Sequence, residues 1–267
     1  MEKLKIQQDF LEIKCKNFDN QYISPRRSEG KPDYQVYAFY TSCSLRVYFM
    51  FDELNIPYQD CPINIRLGEH YKGEFAEITP NNKIPMLVDN TLLKDNGEPD
   101  EPLRIFESGA ILLYLAEKYP ESSLLPPISK PRERSETTQW LIWQVSEMGP
   151  CISQYVYYFF YASEPIPFGM KKAQKDVMDI LNVLNKRLEG REYLCNKYSI
   201  ADIALFGWGC FLYFGIIPEL NQFTNITRWM NTMIQKPTYQ KFLPRIEHSL
   251  KIRNLKRLDN NEYLFNK

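Results

Sequence analysis

The segment VYAFYTSCSLRVYFMFDEL, Val36 to Leu54, changes from a strand pattern to a helix pattern within a few residues. Its first part is rich in β-branched and aromatic residues, which is typical of a strand. Apolar residues then recur at i, i+3, i+4 and i+7, which predicts one apolar helix face: Val47, Met50, Phe51 and Leu54. Cys43 therefore falls in the first turn of the predicted helix.

Two interpretations of Cys43 follow from this position. A small residue can simply fill a tight turn. Alternatively, the unpaired amides at a helix N-terminus favour a thiolate, which is the reactive form of cysteine. The hydroxyls of Thr41 and Ser42 lie in the same turn and could donate hydrogen bonds to an anion there.

Composition excludes several classes of function. The 267 residues carry 33 Lys and Arg against 33 Asp and Glu, so no basic field is available for nucleic acid. The longest uncharged stretch, Ile203 to Pro218, is shorter than the roughly 20 residues that a membrane span needs. Two histidines and six scattered cysteines offer no metal-ligand spacing, so no metal is expected. With no secretory signal pattern, we expect a cytoplasmic protein with reduced thiols.

Strand and helix patterns alternate in the first half of the chain. After the opening strand and helix come a strand in KIPMLVDN, a polar loop, a strand in LRIF and a buried helix in SGAILLYLAEKY. The order predicts an α/β domain with a mixed sheet over residues 34–119, preceded by an extension, 1–33.

The second half is predicted to be all helical. A proline-rich linker, 120–131, leads into a domain over residues 132–248, and a tail covers 249–267. The sequence YSIADI places Ser199 at a helix N-cap with Asp202 three residues later, the pattern of a capping box. It marks the start of a buried central helix.

Two further stretches could bind a ligand. In NNKIPML, a cis bond before Pro85 would turn the backbone of Ile84 outward, where an extended peptide could pair with it. In IFESGAIL, Ser108 and the first helical amides suit a carboxylate, and Glu107 suits an ammonium group. A carboxylate and an ammonium on one carbon describe the end of an amino acid.

Together the cysteine turn, the Lys-Ile-Pro strand and the Glu-Ser helix start resemble the glutathione transferase superfamily, across residues from about 35 to 245. The resemblance implies a thioredoxin-like N-terminal domain followed by an all-α domain, glutathione as co-substrate, and a homodimer. It also implies that the Ile84–Pro85 peptide is cis and pairs with the cysteinyl part of glutathione. Glu107 and Ser108 would bind the γ-glutamyl end, and Lys83 would lie near the glycyl carboxylate.

Two classes of the superfamily are represented in the sequence. PLRIFESGAILLYLAEKYP and RSETTQWLIWQ resemble the nu class, which is related to the fungal prion-type nitrogen regulator and reduces disulfides with glutathione. This match places Arg134 beside the ligand. TSCSLRV instead is similar to the zeta class, the maleylacetoacetate isomerases, whose turn reads Ser-Ser-Cys-Ser-x-Arg-Val.

The preferred activity is glutathione-dependent disulfide reduction. Cys43 would attack the disulfide, or a hydroxyl of Thr41 or Ser42 would stabilise a glutathione thiolate that attacks it. The alternatives are conjugation of glutathione to a small electrophile, isomerisation of zeta type, and a glutathione-binding regulator with little turnover. The aromatic segment QYVYYFFYASEPIPF is expected to be partly core and partly the lining of an acceptor pocket, with Tyr155, Tyr157 and Tyr158 as candidates.

Overall fold

The structure is a computed structural model that describes residues 32–244 and 246–247. The predicted tail and nearly all of the predicted N-terminal extension lie outside these residues. The first half of the described chain is an α/β unit with these elements in order: β1 Tyr34–Ala38, α1 Ser42–Leu54, β2 Gln59–Pro62, α2 Gly73–Ile78, β3 Met86–Asp89, β4 Leu103–Phe106 and α3 Ser108–Lys118.

The described strands form one mixed sheet in the order β2-β1-β3-β4. Strand β1 pairs with β2 in parallel and with β3 in antiparallel orientation, and β3 pairs with β4 antiparallel. Tyr37 lies opposite Met86, which in turn lies opposite Phe106. The mixed sheet and the thioredoxin-like arrangement predicted from the sequence are confirmed.

Two elements of this unit were missing from the predicted order. Strand β2 consists of Gln-Asp-Cys-Pro, which has no β-branched or aromatic residue, and it forms because an edge strand needs a partner on one side only. Helix α2 has six residues, too few to show a helical period. Both lie in the segment between α1 and β3 that the sequence pattern left unassigned.

The second half is helical, as predicted. Its elements are α4 Pro131–Trp143, α5 Gly149–Val156, α6 Pro167–Arg187, α7 Ile200–Tyr213, α8 Thr224–Ile234 and the short α9 Pro237–Gln240. Two π-helical turns, Gln144–Met148 and Tyr157–Tyr161, follow α4 and α5. No helix among the described residues is long and apolar enough to cross a membrane.

Helix α7 is the centre of the helical half, with nearly every residue buried. The predicted capping box is present: the Ser199 hydroxyl accepts from the amide of Ala201 at 3.3 Å, and the Asp202 carboxylate accepts from the amide of Ser199 at 3.2 Å. Asp202 also accepts from Leu194 N at 2.9 Å and from Trp229 Nε1 at 3.1 Å. One buried carboxylate therefore ties the start of α7 to α8 and to the loop before it.

Helix α1 joins the two halves. One side of it packs on the sheet, where the ring of Phe51 meets that of Tyr34 at 5.4 Å. The other side packs on the helical half, where the ring of Phe49 meets Phe206 at 6.1 Å and Tyr239 at 4.6 Å. These contacts hold α1 between the two halves of the molecule.

The buried Asp202 predicts a specific dependence of stability on pH. Desolvation raises its pKa from 3.8 to about 6. Because the folded-state pKa lies above the unfolded one, the contribution of this group is greatest below the unfolded pKa and is lost as the pH rises towards 6. In chemical denaturation, we expect Asp202→Asn to lower the free energy of unfolding more at pH 4 than at pH 7.

The exposed Asp179 on α6 provides the matched control. Its ion pair with Lys175 lies at the surface, so Asp179→Asn should leave the free energy of unfolding nearly unchanged at either pH. A destabilisation by Asp202→Asn that grows from pH 4 to pH 7 would contradict the raised pKa.

Candidate active site

Sheet register brings three segments to one end of the sheet. Because β3 runs antiparallel to β1 and β4, the start of β3 lies beside the ends of the other two strands. The residues that follow β1 and β4 and those that precede β3 therefore lie at the same edge. These are the turn Thr41–Ser44, the pair Ile84–Pro85, and the pair Glu107–Ser108.

The first turn of α1 is held by its own hydroxyl groups. Thr41 is the N-cap: its Oγ1 accepts from the amide of Ser44 at 3.3 Å and donates to the Ser44 hydroxyl at 3.0 Å. The Ser44 hydroxyl also accepts from the amide of Phe39 at 3.3 Å. Ser42 is buried. The Thr41 proton is thus directed into the turn, where it bonds to Ser44. The role of the Thr41 hydroxyl towards glutathione stays a prediction.

Cys43 is the second residue of α1 and is partly exposed at this edge. The other described cysteines differ from it in setting. Burial raises the pKa of the Cys61 thiol to about 11 and also raises the pKa of Cys151, Cys195 and Cys210. Cys151 is also partly exposed and lies in the first turn of α5, but α5 continues directly from the preceding π-helical turn and has no separate cap. Among the described cysteines, Cys43 is therefore the one that combines partial exposure with a helix start capped by a side chain.

The proline segment has the geometry that the resemblance implied. The Ile84–Pro85 peptide is cis, which confirms that prediction. Pro85 is buried, Ile84 is partly exposed, and Lys83 is exposed. An extended ligand lying along this segment would have Lys83 at one end.

Helix α3 begins with an unusual residue. Glu107 is its N-cap, with φ 68° and ψ 115°, a conformation that is costly for a residue with a side chain. Ser108 is the first helical residue and is buried, whereas Glu107 is exposed. The strained backbone holds the Glu107 carboxylate and the Ser108 hydroxyl at the edge reached by Cys43 and Pro85.

A residue that the sequence analysis did not select joins the two helix starts. Arg46 is 1% exposed, and its Nη1 donates to Ser108 Oγ at 3.0 Å. Burial lowers the pKa of Arg46, while negative charge on Cys43 and Glu107 acts in the opposite direction. A signal was present in the sequence, because an arginine inside the apolar run LRVYFMF is expected only where it has a polar partner.

Arg134 does not join this group within one chain. It forms an ion pair with Glu117 and donates from Nη1 to the carbonyl oxygen of Pro126 at 2.9 Å. Glu117 lies in the last turn of α3, roughly 13 Å along the helix axis from Ser108. The prediction that Arg134 contacts glutathione stays a prediction, and the geometry does not favour it.

The three tyrosines predicted for an acceptor pocket have different surroundings in the structure. Tyr155 is fully buried and stacks on Phe159 at 4.3 Å, so it belongs to the core. Tyr157 is 52% exposed and meets Tyr158 edge to face at 5.4 Å. Only Tyr157 and Tyr158 remain candidates to line a pocket. Among the residues that the structure describes, no cluster of His, Cys, Asp and Glu could hold a metal ion.

Comparison with known proteins identifies the family. The sequence matches "Glutathione S-transferase, N-terminal domain" over residues 32–117 and "Glutathione S-transferase, C-terminal domain" over residues 150–237. A glutathione S-transferase domain-containing protein of Dictyostelium discoideum is 31% identical over 84% of this chain and 86% of its own length. The chain belongs to the glutathione S-transferase family.

Two further relatives are informative. The disulfide-bond oxidoreductase YfcG of Escherichia coli is 40% identical over 61% of this chain and 73% of its own length. A glutathione transferase from Burkholderia graminis, solved with two glutathione molecules bound per subunit, superposes with a TM-score of 0.70 at 31% identity. That alignment covers 79% of this chain and 87% of the Burkholderia chain.

The packing of α7 on the first turn of α1 predicts the effect of a single methyl group. A Cβ at Gly207 would lie 2.4 Å from the carbonyl oxygen of Ser42 and 3.2 Å from Arg46 Nε. We expect Gly207→Ala to lower the free energy of unfolding by about 1–3 kcal/mol, because the helices must move apart. Thermal or urea unfolding measures the loss of stability. The rate at which Cys43 is alkylated should also differ from that of the wild type.

Gly209→Ala is the matched control in the same helix. Its Cβ would meet the ring of Phe206 at 2.7 Å, and its three nearest contacts all belong to that ring rather than to the first turn of α1. We therefore expect it to reduce stability with little change in the alkylation of Cys43. Equal changes in alkylation for both variants would show that the contact at Gly207 does not shape the turn.

Proposed function

We propose that this chain reduces disulfides with glutathione, with Cys43 as the attacking thiolate. The observation that carries the proposal is the position of Cys43, partly exposed in the first turn of α1 at the edge shared with Pro85 and Ser108. The similarity to YfcG, named a disulfide-bond oxidoreductase, supports the reaction type. The Burkholderia structure, with its two glutathione molecules per subunit, supports the co-substrate.

In the proposal, glutathione lies extended along the Ile84–Pro85 segment. The backbone of Ile84 pairs with the cysteinyl residue of the ligand, as in the addition of a strand to an open edge. Ser108 and the first amides of α3 bind the γ-glutamyl carboxylate, while Glu107 pairs with the ammonium group beside it. Lys83 interacts with the glycyl carboxylate. This direction places the ligand sulfur towards the turn that holds Cys43.

The chemistry is thiol–disulfide exchange. The Cys43 thiolate attacks one sulfur of the substrate disulfide, the S–S bond breaks, and the other sulfur leaves as a thiolate that takes a proton from water. A glutathione thiolate then attacks the mixed disulfide and releases the second substrate thiol. A second glutathione resolves the Cys43–glutathione disulfide that results. Two glutathione molecules supply the two electrons and leave as glutathione disulfide.

The hydroxyls of Thr41 and Ser42 are the other candidates for the key group. Thr41 donates its proton to Ser44 and caps α1, so stabilising a glutathione thiolate would cost it that bond. Ser42 is 7% exposed. These observations favour Cys43. The acceptor is proposed to lie towards Tyr157 and Tyr158, which are accessible from solvent.

We further propose a cytoplasmic homodimer. Phe106 on the edge strand β4 is 45% exposed and Ile142 on α4 is 49% exposed, apolar surface that a second copy could cover. The described cysteines form no disulfide with one another, which suits a reducing compartment. Light scattering after size exclusion should give twice the mass of one chain. The mass of a single chain would contradict the dimer.

Removal of the thiol tests the proposed reaction. We expect Cys43→Ser to reduce glutathione-dependent reduction of a model disulfide, such as hydroxyethyl disulfide, by roughly a hundredfold or more, because a serine hydroxyl is not ionised near neutral pH. Binding of glutathione, measured by calorimetry, should persist. Cys151→Ser, which changes another partly exposed cysteine, should retain wild-type activity.

The other outcomes identify the alternatives. Full disulfide reductase activity in Cys43→Ser would remove Cys43 from the mechanism and leave the hydroxyls. Rapid conjugation of an electrophile by the wild type and both variants, without disulfide reduction, would indicate a transferase. Isomerisation of a substrate with glutathione returned unchanged would indicate an isomerase. Binding of glutathione without turnover of disulfides or electrophiles would indicate a regulator.

A further inference from the structure

Arg46 is a buried cation that no carboxylate contacts among the residues that the structure describes. Its side chain is 1% exposed, and its one hydrogen bond among the described residues goes to the neutral hydroxyl of Ser108. Its Nε has no hydrogen-bond partner there, and no described carboxylate lies within ion-pair distance of the guanidinium. The negative charge of Glu107 acts on the guanidinium, but from beyond ion-pair distance. A buried charge that no carboxylate contacts is costly, so a role other than stability is expected for it.

The position of Arg46 relates it to two places where an anion is expected. On α1 it follows Cys43 by three residues, so the two side chains lie on the same helix face. Its Nη1 reaches Ser108 at the start of α3. The guanidinium therefore lies between two helix N-termini, each of which adds partial positive charge.

A glycine in α7 leaves room for the side chain of Arg46. A Cβ at Gly207 would lie 3.2 Å from Arg46 Nε and 3.4 Å from its Cγ. Glycine at this position lets α7 cover the guanidinium closely, which keeps water away from it and leaves its charge weakly screened.

From this geometry, and resting on the proposed function, we propose that Arg46 is a positioning residue that stabilises the Cys43 thiolate and a ligand carboxylate at Ser108 with the same buried charge. Because Arg46 donates to Ser108 Oγ, the Ser108 hydroxyl keeps its own proton for the ligand. The guanidinium thus supplies charge to both anions and orients the hydroxyl that binds one of them.

Three substitutions separate the charge from the hydrogen bond. Arg46→Met removes both, Arg46→Gln removes the charge but keeps a donor, and Arg46→Lys keeps the charge. The rate of Cys43 alkylation by iodoacetamide, followed by peptide mass mapping without glutathione, reports the thiolate. At pH 7 we expect a roughly three- to tenfold slower rate for Met and Gln and a nearly wild-type rate for Lys.

The same series at pH 10 excludes a merely structural effect. Once the thiol is ionised in all variants, the rates for Met and Gln should equal or exceed the wild-type rate, since a less stabilised thiolate is more nucleophilic. Rates for Gln equal to wild type at pH 7 would overturn the proposal. Alkylation that remained slower than in the wild type at pH 10 for both Arg46→Met and Arg46→Gln would overturn it too.

Folding of the variants is checked by thermal unfolding. Replacing a buried, unpaired charge by an apolar side chain of similar size is often neutral or stabilising. Arg46→Met should therefore unfold at a temperature at least as high as the wild type. If Arg46→Met fails to fold, the other two variants still test the proposal. Alkylation of Cys43 at pH 7 is expected to be slower in Arg46→Gln and nearly unchanged in Arg46→Lys.

The carboxylate half of the proposal is tested by calorimetry with glutathione. Arg46→Gln should weaken binding about tenfold, and Ser108→Ala should weaken it less in that variant than in the wild type, because the two residues act together. If the losses of glutathione affinity from the two substitutions were additive, Arg46 and Ser108 would not act together. The alkylation assay needs neither glutathione nor turnover. Failure of the protein to bind glutathione would therefore contradict the proposed function, while the alkylation rates would still test the effect of Arg46 on the Cys43 thiolate.

Discussion

The close approach of α7 to the first turn of α1 is the contact on which the site depends. It is possible because position 207 has no side chain: a Cβ there would lie 2.4 Å from the carbonyl oxygen of Ser42. The approach fixes where the cysteine turn lies relative to the helical half and encloses the charge of Arg46. The capping box at Ser199 fixes where α7 begins and hence which of its residues faces α1.

The sheet register supplies the other constraint. Antiparallel pairing of β3 with both β1 and β4 brings the ends of two strands and the start of a third to one edge. Two helix N-termini meet there beside a cis proline, so the edge offers unpaired amides, a bent backbone and a buried cation. Such an environment suits a peptide with a carboxylate and a thiolate. The group presented by the turn of α1 then decides which reaction follows.

Much of this could be predicted from the sequence because the signals are local. The apolar period of α1, the strand before it, the Glu-Ser helix start and the capping box each depend on neighbouring residues, and each has its predicted structure. Strand β2 could not be predicted, because its conformation comes from pairing with β1 and not from its residue types. The positive φ of Glu107 likewise depends on the strand and helix that it joins.

Residues whose surroundings depend on tertiary contacts were harder to place. The partner of Arg46, Ser108, is 62 residues away in sequence, and the burial of Tyr155 depends on the packing of the helical half. The sequence located Cys43 at a helix start but could not show that the other described cysteines are set in environments that raise their pKa. The burial of those thiols becomes visible only in the folded chain.

Which sulfur attacks the substrate disulfide can be read directly. The protein would be incubated with oxidised glutathione, quenched with acid and mapped by mass spectrometry. The account predicts one glutathione bound in disulfide linkage, on the peptide that contains Cys43, and its release on addition of reduced glutathione. No adduct at Cys43, with turnover of the disulfide still observed, would contradict it.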